Sequence, residues 1–360
     1  MSGVLAIHTI AWGGHTAPQA ERWFTALDWL ARLAVPLFVI LTGVVLAMST
    51  KRSGQTRLQF MRKRLARVGV PWLIWAAIWV VAWLVIPTLF DGQPPLTPGD
   101  FAGNILAGPG YLYFLLIILQ LSVLFSLFPT TRIAQRAVIL AGIALHVAFT
   151  TGRLLLPADA PDAVWNVAIE HGYELFPGWI GFFAIGVYLA GEGKEWLKAT
   201  PLRVLLCATL TFATIAVLLA WGQVGGDPNR LWSANLFLHP LFLPACSGLF
   251  MLVYWAADAL LWAVPQFGRT AIKLGELSFG IYLVHQFPME GFGKLLQGRF
   301  GGISLSDELP RSLPEIALLF ALTCASSLVM VAVMRRYSWG RLALGEQPNP
   351  GRRQTPSLPR

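Results

Sequence analysis

The stretch KRSGQTRLQFMRKRLARVGVP, residues 51 to 71, places seven cationic side chains and no acidic one between two long apolar runs. Cytoplasmic connections of membrane proteins carry an excess of Lys and Arg, and this bias sets the orientation of the neighbouring spans. The stretch therefore predicts that the run ending near Met48 crosses a membrane inward and that the run beginning near Val68 crosses it outward.

The composition indicates a membrane protein as well. Of the 360 residues, 56% are hydrophobic and 12% are charged, whereas soluble domains carry about 25% charged residues. Such a deficit of charge is expected where lipid is the solvent. The net charge of +9 does not indicate a nucleic-acid partner, because the basic residues fall in alternate connections between apolar runs. The three cysteines lie inside apolar runs without CxxC spacing and are interpreted as buried small hydrophobic residues.

Ten apolar runs are interpreted as membrane spans. They cover residues 1–12, 27–48, 68–90, 111–128, 137–149, 175–190, 202–221, 236–264, 274–288 and 316–334. An even number places both termini on one side, and the basic stretch makes that side the cytoplasm. The inner segments then hold 20 of the 27 basic residues and the outer loops hold six. The predicted fold class is an all-α, polytopic integral membrane helix bundle of about ten transmembrane helices with both termini cytoplasmic.

The two ends of the chain differ from the rest. A helix over residues 1–12 rises only about 18 Å, while the hydrocarbon core of a bilayer is about 30 Å thick. This predicts either a first helix truncated by a start codon assigned too late or a half-span packed against other helices. The transmembrane domain is predicted to cover residues 1–340, and the polar segment 341–360 is predicted to be a disordered cytoplasmic tail.

Ionisable residues inside apolar runs are candidate functional residues, because a charge in hydrocarbon is costly. His8 lies in VLAIHTIAW; a neutral imidazole tolerates burial and can accept a proton from a hydroxyl. A hydrogen bond to a neighbouring helix is an equally open interpretation. Ser278, Tyr282 and His285 follow the spacing i, i+4 and i+7, so they share one helical face that points into the bundle. The spacing leaves open whether they contact a substrate or tie helices together, and we favour helix ties.

Three arginines complete the set of candidate residues. Arg32 lies four residues after Asp28 near the outer end of the second run, which indicates a local ion pair. Arg64 and Arg67 share a face just before Pro71, which is expected to open the third membrane helix. Two guanidinium groups at the cytoplasmic mouth of a bundle suit a phosphorylated ligand, and they equally suit lipid headgroups or orientation alone. No Gly-rich phosphate loop, HExxH motif, GxSxG motif or paired carboxylate is present, so the common soluble chemistries have no support in the sequence. No metal ligands are predicted.

Taken together, four stretches resemble the membrane acyltransferase 3 family, which includes O-acetyltransferases of O-antigen, exopolysaccharide and enterobacterial common antigen. VLAIHTIAW resembles the end of the family's first span, whose essential histidine is His8 here. ARLAVPLFVILTG resembles the second-span pattern around Arg32, and FMRKRLARVGVPWLIW resembles the RxxR segment, carried by Arg64 and Arg67. LGELSFGIYLVH resembles the late-span SFxxYLxH signature. The family also places an arginine well before the first-span histidine, and position 8 leaves no room for it.

The resemblance implies transfer of an acyl group, most often acetyl from acetyl-CoA, to a sugar hydroxyl of a cell-envelope or extracellular polysaccharide at the bacterial inner membrane. Arg64 and Arg67 would hold the phosphates of the acyl-CoA co-substrate, and His8 would act as general base. No bound cofactor is implied. The implied partners are acyl-CoA, a glycan or lipid-linked sugar acceptor, membrane lipid and polysaccharide-assembly proteins. Tyr111 and Tyr113 near the predicted outer mouth could stack on sugar rings, although an interfacial aromatic belt is the commoner role.

Two other function classes stay open. A polytopic transporter of a glycan or small molecule would also use buried polar residues, to line a pathway and not to make a bond. An inactive scaffold of a polysaccharide-assembly complex is the third. Acyl transfer predicts that label from acetyl-CoA reaches a glycan, whereas transport predicts movement of a glycan without acetyl-CoA.

Overall fold

The computed structural model of the chain describes residues 2–13, 30–53, 56–85, 111–129, 131–156, 161, 164, 171–224, 238–296 and 313–346. Across these ranges the secondary structure is helical and no strand occurs. In chain order the helices are α1 (Ser2–Gly13), α2 (Ala34–Ser53), α3 (Arg57–Arg64), α4 (Val70–Val85), α5 (Tyr113–Ser126), α6 (Arg132–Leu154), α7 (Ile180–Ala190), α8 (Pro201–Val224), α9 (Phe242–Ala263), α10 (Pro265–Val284), α11 (Gln286–Leu296), α12 (Leu313–Met334) and α13 (Ser338–Ala343).

The predicted all-helical membrane fold is confirmed. In the part of the chain that the structure describes, six segments are long and apolar enough to cross a membrane: Leu30–Ser49, Arg57–Ala82, Arg132–Leu154, Pro201–Leu218, Phe242–Ala263 and Pro314–Met334. Helices α5 and α7 are shorter apolar helices. The remaining two predicted runs overlap α1 and α10, and the second of them extends into α11, so each of the ten runs overlaps a described helix.

The outer surfaces of these helices are apolar, as lipid contact requires. Helix α8 carries its large apolar side chains on exposed positions, among them Leu202, Leu205, Leu206, Leu210 and Phe212. Contiguous apolar surface of this extent is uncommon on soluble monomers and marks membrane or protein contact. The exposed faces of α8 are therefore the lipid side of the bundle.

Helix α7 is the centre of the bundle. It is apolar on all sides, and eight of its eleven residues are buried, as expected for a helix surrounded by others. Its closest neighbour is α2, where two glycines allow the backbones to approach: a Cβ at Gly186 would lie 2.0 Å from the carbonyl oxygen of Ile40, and one at Gly43 would lie 2.4 Å from that of Phe183. Small residues at helix contacts are a common means of packing in membranes.

The basic stretch forms a helix and not a loop for most of its length. Helix α3 begins at a capping box. The side-chain hydroxyl of Thr56 accepts a hydrogen bond from the backbone N–H of Gln59, and the side-chain carbonyl of Gln59 accepts one from the backbone N–H of Thr56. It runs without a break through a π-helical turn, Leu65–Gly69, into α4. The expectation that Pro71 opens the membrane helix was wrong. Pro71 lies inside a continuous helix, and the wider π turn before it accommodates the missing proline N–H.

The chain after α12 folds back against this third span. The indole N–H of Trp75 donates to the carbonyl of Ala343 over 2.9 Å. Gly345 has a φ of 69°, and a Cβ there would lie 2.4 Å from the carbonyl oxygen of Arg67. Only glycine suits this position, because it alone combines a left-handed backbone with so close an approach. The C-terminal segment is thus seated on the π turn.

An ion pair holds that segment in place. Arg335 contacts the carboxylate of Glu346 at 2.5 Å and donates to the backbone carbonyl of Glu276 in α10 over 3.2 Å. Residues 341–346 were assigned to a disordered tail, but the structure packs them, with Ala343 and Leu344 buried. The apolar residues of this segment form a run too short to be identified in the sequence as a packed element. Residues 347–360 lie outside the described residues.

Candidate active site

Two histidines from distant parts of the chain lie side by side inside the bundle. The ring of His8 in α1 is 5.2 Å from the ring of His285, centroid to centroid, with the two planes tilted by 44°. His285 is completely buried, and His8 is partly exposed. Of the pair, His8 is therefore the histidine that a bound molecule can reach more directly.

The position of His285 follows from local sequence. Pro288 lacks the N–H that would bond to the Val284 carbonyl one turn back, so α10 ends at Val284 with His285 as its C-cap, and α11 starts at Gln286. The Nδ1 atom of His285 lies 2.6 Å from the carbonyl oxygen of Tyr282. A carbonyl can only accept, so Nδ1 carries the proton and Nε2 carries the lone pair. Nε2 is buried, and no described residue hydrogen-bonds to it.

An aromatic wall encloses the histidine pair. The ring of Tyr111 stands edge-on to both histidines, with centroids 5.4 Å from His285 and 6.4 Å from His8. Its hydroxyl donates to the carbonyl of Leu283 over 3.2 Å and accepts from the indole N–H of Trp79 over 2.5 Å. The hydroxyl of Tyr282 donates to the backbone carbonyl of Tyr111. These hydrogen bonds fix the aromatic side chains in position around the two histidine rings.

Tyr111 was expected to belong to an interfacial aromatic belt, and this expectation was wrong. The residue is buried, and its partners are the two histidines, Trp79 and Tyr282. Sequence reasoning also overlooked Trp79, whose ring stacks on Phe287 at 4.5 Å. The only signal for Tyr111 was its place in GYLYFLLIILQ, at the start of an apolar run.

Arg32 lies close to the histidine pair. Its charge is within electrostatic range of the His8 ring and of the Tyr113 hydroxyl, and the residue is half-buried. The predicted ion pair with Asp28 lies outside the described residues. Arg32 is thus a cation whose charge acts on His8.

A cavity of about 360 Å³ leads from the paired arginines to this wall. Arg64 and Arg67 line one part of it, and Ser278 and Tyr282 line another, together with apolar side chains of α1, α2 and α5. The ring of Tyr282 is in turn 5.9 Å from the ring of His285. The cavity therefore connects the π turn of the third span with Tyr282, one of the residues that surround the two histidines.

Arg64 and Arg67 are available to an anionic ligand. The two charges are near enough to repel each other, and the Arg64 guanidinium lies 5.5 Å from the centre of the Phe60 ring. No acidic side chain of the described residues forms an ion pair with either arginine. Arg64 directly precedes the π turn and Arg67 lies within it. Such helix irregularities are frequent at functional sites.

The polar stripe on α10 divides into two parts. Tyr282 is buried in the aromatic wall and His285 is buried in the pair that the wall encloses, whereas the hydroxyl of Ser278 donates to the carbonyl of Gly275 in its own helix over 2.7 Å. The structure thus brings His8, Tyr282, His285 and Arg32 into one cluster. It places Arg64, Arg67 and Ser278 along the cavity that leads to it.

Comparison with known proteins points to one family. The chain matches the sequence profile of the acyltransferase 3 family, described as an acyltransferase domain, over residues 1–335. It is 22% identical over 325 residues to "Putative membrane-bound acyltransferase YfiQ" of Bacillus subtilis (strain 168), covering 88% of this chain and 82% of that protein. It is also 22% identical over 320 residues to "Probable poly-beta-1,6-N-acetyl-D-glucosamine export protein" of Staphylococcus aureus (strain MRSA252), covering 87% and 82%. No solved structure matches. This chain is a membrane acyltransferase and belongs to the acyltransferase 3 family.

Proposed function

We propose that the protein transfers an acyl group, in particular acetyl, from cytoplasmic acyl-CoA to a sugar hydroxyl of a cell-envelope or extracellular polysaccharide. The observation that carries this proposal is the cavity shared by Arg64, Arg67 and Tyr282, with the histidine pair behind Tyr282. The cavity offers cations for the phosphates of the donor at one end, and Tyr282 at the other end separates it from the histidine pair. The family membership and the glycan named for the Staphylococcus aureus relative support the choice of reaction and acceptor class.

Each candidate residue has a role in this reaction. Arg64 and Arg67 bind the phosphates, since a guanidinium presents paired donors that match phosphate oxygens. His8 takes the proton of the acceptor hydroxyl as its oxygen attacks the thioester carbonyl carbon. The carbon–sulfur bond then breaks, and the coenzyme leaves as a thiol after receiving that proton from His8. Arg32 stabilises the negative charge that develops on the carbonyl oxygen.

The thioester is already an activated acyl donor, so the protein contributes mainly position and a dry environment. The aromatic wall around Tyr111 and Tyr282 supports such a site, because its hydroxyls are engaged with backbone carbonyls and cannot compete with the acceptor. Acyl-CoA is a co-substrate in this scheme, and no bound cofactor takes part. The acceptor is a glycan or a lipid-linked sugar, and polysaccharide-assembly proteins and membrane lipid are the further partners.

The topology of the proposal is a bundle of ten spans in the bacterial inner membrane with both termini in the cytoplasm. It follows from the partition of basic residues and from the position of Arg64 and Arg67, which must face the cytoplasmic pool of acyl-CoA. Residues 1–340 form the acyltransferase domain in this proposal, and the polar tail is cytoplasmic.

Reporter fusions test this topology. A reporter that is active only in the cytoplasm should be active when fused after Arg67, after Lys198 or at the C-terminus, and inactive when fused at Gln93 or Gly301. Immunoblots of each fusion control for its amount. Cytoplasmic activity at Gln93 would contradict the ten-span arrangement.

The alternative is export of a glycan without acyl transfer, which the name of the Staphylococcus aureus relative favours. Membranes that contain the protein should incorporate radiolabel from acetyl-labelled acetyl-CoA into envelope glycan, and the label should be released by mild base, as expected for an ester. Membranes without the protein are the control. Movement of glycan across the membrane in the absence of acetyl-CoA, without incorporation of label, would favour the transporter.

A further inference from the structure

Two hydroxyl groups on α12 differ from the other buried hydroxyls of the bundle. A serine or threonine inside a helix usually donates to a carbonyl one turn back, or else finds a partner on a neighbouring helix. Buried residues that do so here are Thr9, Ser122, Thr150, Thr211 and Thr214. Thr323 and Ser327 are completely buried, yet their hydroxyls have no partner among the described residues. Buried polar atoms without partners are rare and point to an unseen ligand or water.

The neighbours of α12 show where these hydroxyls lie. The buried residues of α12 form one stripe, consisting of Ile316, Leu319, Thr323, Ser327, Val331 and Met334. At its outer end Ile316 packs with Ile10 of α1, and toward its inner end Val331 contacts Gly280 of α10. His8 lies two residues from Ile10, and His285 lies five residues after Gly280. The middle of the stripe therefore faces the space between α1 and α10, in which the histidine pair lies.

Two further buried atoms without partners belong to the helices that pack against α12. One is Nε2 of His285, and the other is Oε1 of Gln286 in α11, which packs along α12. The amide group of Gln286 donates to the carboxylate of Glu290 over 2.9 Å. This bond fixes the amide orientation, so its oxygen is left as an acceptor.

The chemistry of these atoms defines the ligand. Nε2 of His285 and Oε1 of Gln286 can only accept a hydrogen bond, whereas the two hydroxyls can donate or accept. A carboxylate or phosphate offers no donor and would leave both acceptors without a partner. A sugar satisfies all four positions, because each of its hydroxyls both donates and accepts. Water has the same capacity.

We propose that Thr323, Ser327, Gln286 and His285 form a buried site for a hydroxyl-bearing ligand, and that this ligand is the acceptor sugar of the acyl transfer. The inference rests on the proposed function, since it gives the acceptor a place beside His8. In this site His285 is a positioning residue whose Nε2 accepts a hydrogen bond from the sugar, while His8 takes the proton of the reacting hydroxyl. Donor and acceptor then approach the histidine pair from different sides.

The double variant Thr323→Val with Ser327→Ala tests the site with little change of shape. Glycan acetylation, measured in cells as base-released acetate per folded protein, should fall about tenfold, as expected for the loss of two neutral hydrogen bonds. Binding of acetyl-CoA to the purified protein should stay unchanged. Thermal stability should be equal or higher, because both removed groups were buried without a protein partner.

Matched controls come from the same fold. Thr150→Val removes a buried hydroxyl that donates to its own helix over 2.8 Å, and Ser326→Ala removes one from α12 outside the buried stripe. Both should keep glycan acetylation. Unchanged acetylation in the double variant would overturn the site, and so would an equal loss of acetyl-CoA binding.

A second assay distinguishes a bound sugar from a bound water molecule: hydrolysis of acetyl-CoA by the purified protein in the absence of glycan. If transfer to glycan falls while hydrolysis by the purified protein is retained, the site binds sugar. An equal fall of both would overturn the sugar assignment and indicate a water site. A wild-type protein that incorporates no acetyl at all contradicts the proposed function, whereas incorporation that the double variant retains contradicts this site alone.

Discussion

Replacing His8 with alanine is expected to reduce acylation of envelope glycan by on the order of 10² or more, the usual scale for the loss of a positioned base. His8 is the partly exposed member of the histidine pair, and no described residue hydrogen-bonds to its ring. Removing the ring therefore breaks no hydrogen bond within the described part of the folded protein. Expression and acetyl-CoA binding should be nearly unchanged, because His8 is not among the residues that line the cavity of Arg64 and Arg67.

The measurement is incorporation of labelled acetyl into envelope glycan, normalised to folded protein. His171→Ala is the matched control, since that histidine is exposed and lies in a short turn outside the cluster. His285→Ala should lower the folded yield more than His8→Ala does, because the ring is completely buried against Tyr111 and Tyr282. Turnover close to wild type in His8→Ala would contradict the assignment of His8 as the base.

Replacing both Arg64 and Arg67 with glutamine is expected to weaken acetyl-CoA binding by on the order of 10 to 10², the equivalent of one or two charge-assisted hydrogen bonds. Both guanidiniums line the cavity, and no acidic group of the described chain is paired with them. Lysine at both positions should restore only part of the affinity, because an ammonium group cannot form the paired contact of a guanidinium with phosphate.

Titration calorimetry of acetyl-CoA with the purified variants measures this effect. The control is the double variant Arg62→Gln with Lys63→Gln, which removes the same charge from exposed positions that do not line the cavity. The reporter fused at the C-terminus checks that both double variants keep their orientation. Equal binding by the glutamine variant and the wild type, or an equal loss in the control, would mean that the arginines serve orientation only.

The amino-acid sequence predicted the helices well because the apolar runs are themselves the signal for a span. Its motifs also singled out His8, Arg64, Arg67 and Tyr282 as candidate residues. What it could not predict is which helical faces meet. Tyr111 and Tyr282 are 171 residues apart, and their hydrogen bond depends on how α5 and α10 pack. Periodicity within one helix contains no information about such a contact.

Two other features were hidden for related reasons. Thr323 and Ser327 resemble ordinary small residues of an apolar helix until their hydroxyls are found without partners. The π turn before Pro71 could not be distinguished from a helix start, because proline is common in both settings. In each case the feature depends on which groups are neighbours in the folded protein, and the local sequence does not contain that information.

The contact between the π turn and Gly345 has a consequence for biosynthesis. Trp75 and its partner Ala343 are separated by 268 residues, and a ribosome adding about 5–20 residues per second needs roughly 13 to 54 s to cover that distance. The third span therefore enters the membrane long before the segment that seats on it has been made. During this interval Arg64 and Arg67, the proposed donor-binding residues, lie beside a turn that lacks its C-terminal partner, so the proposed donor site is complete only after the last helices have been translated.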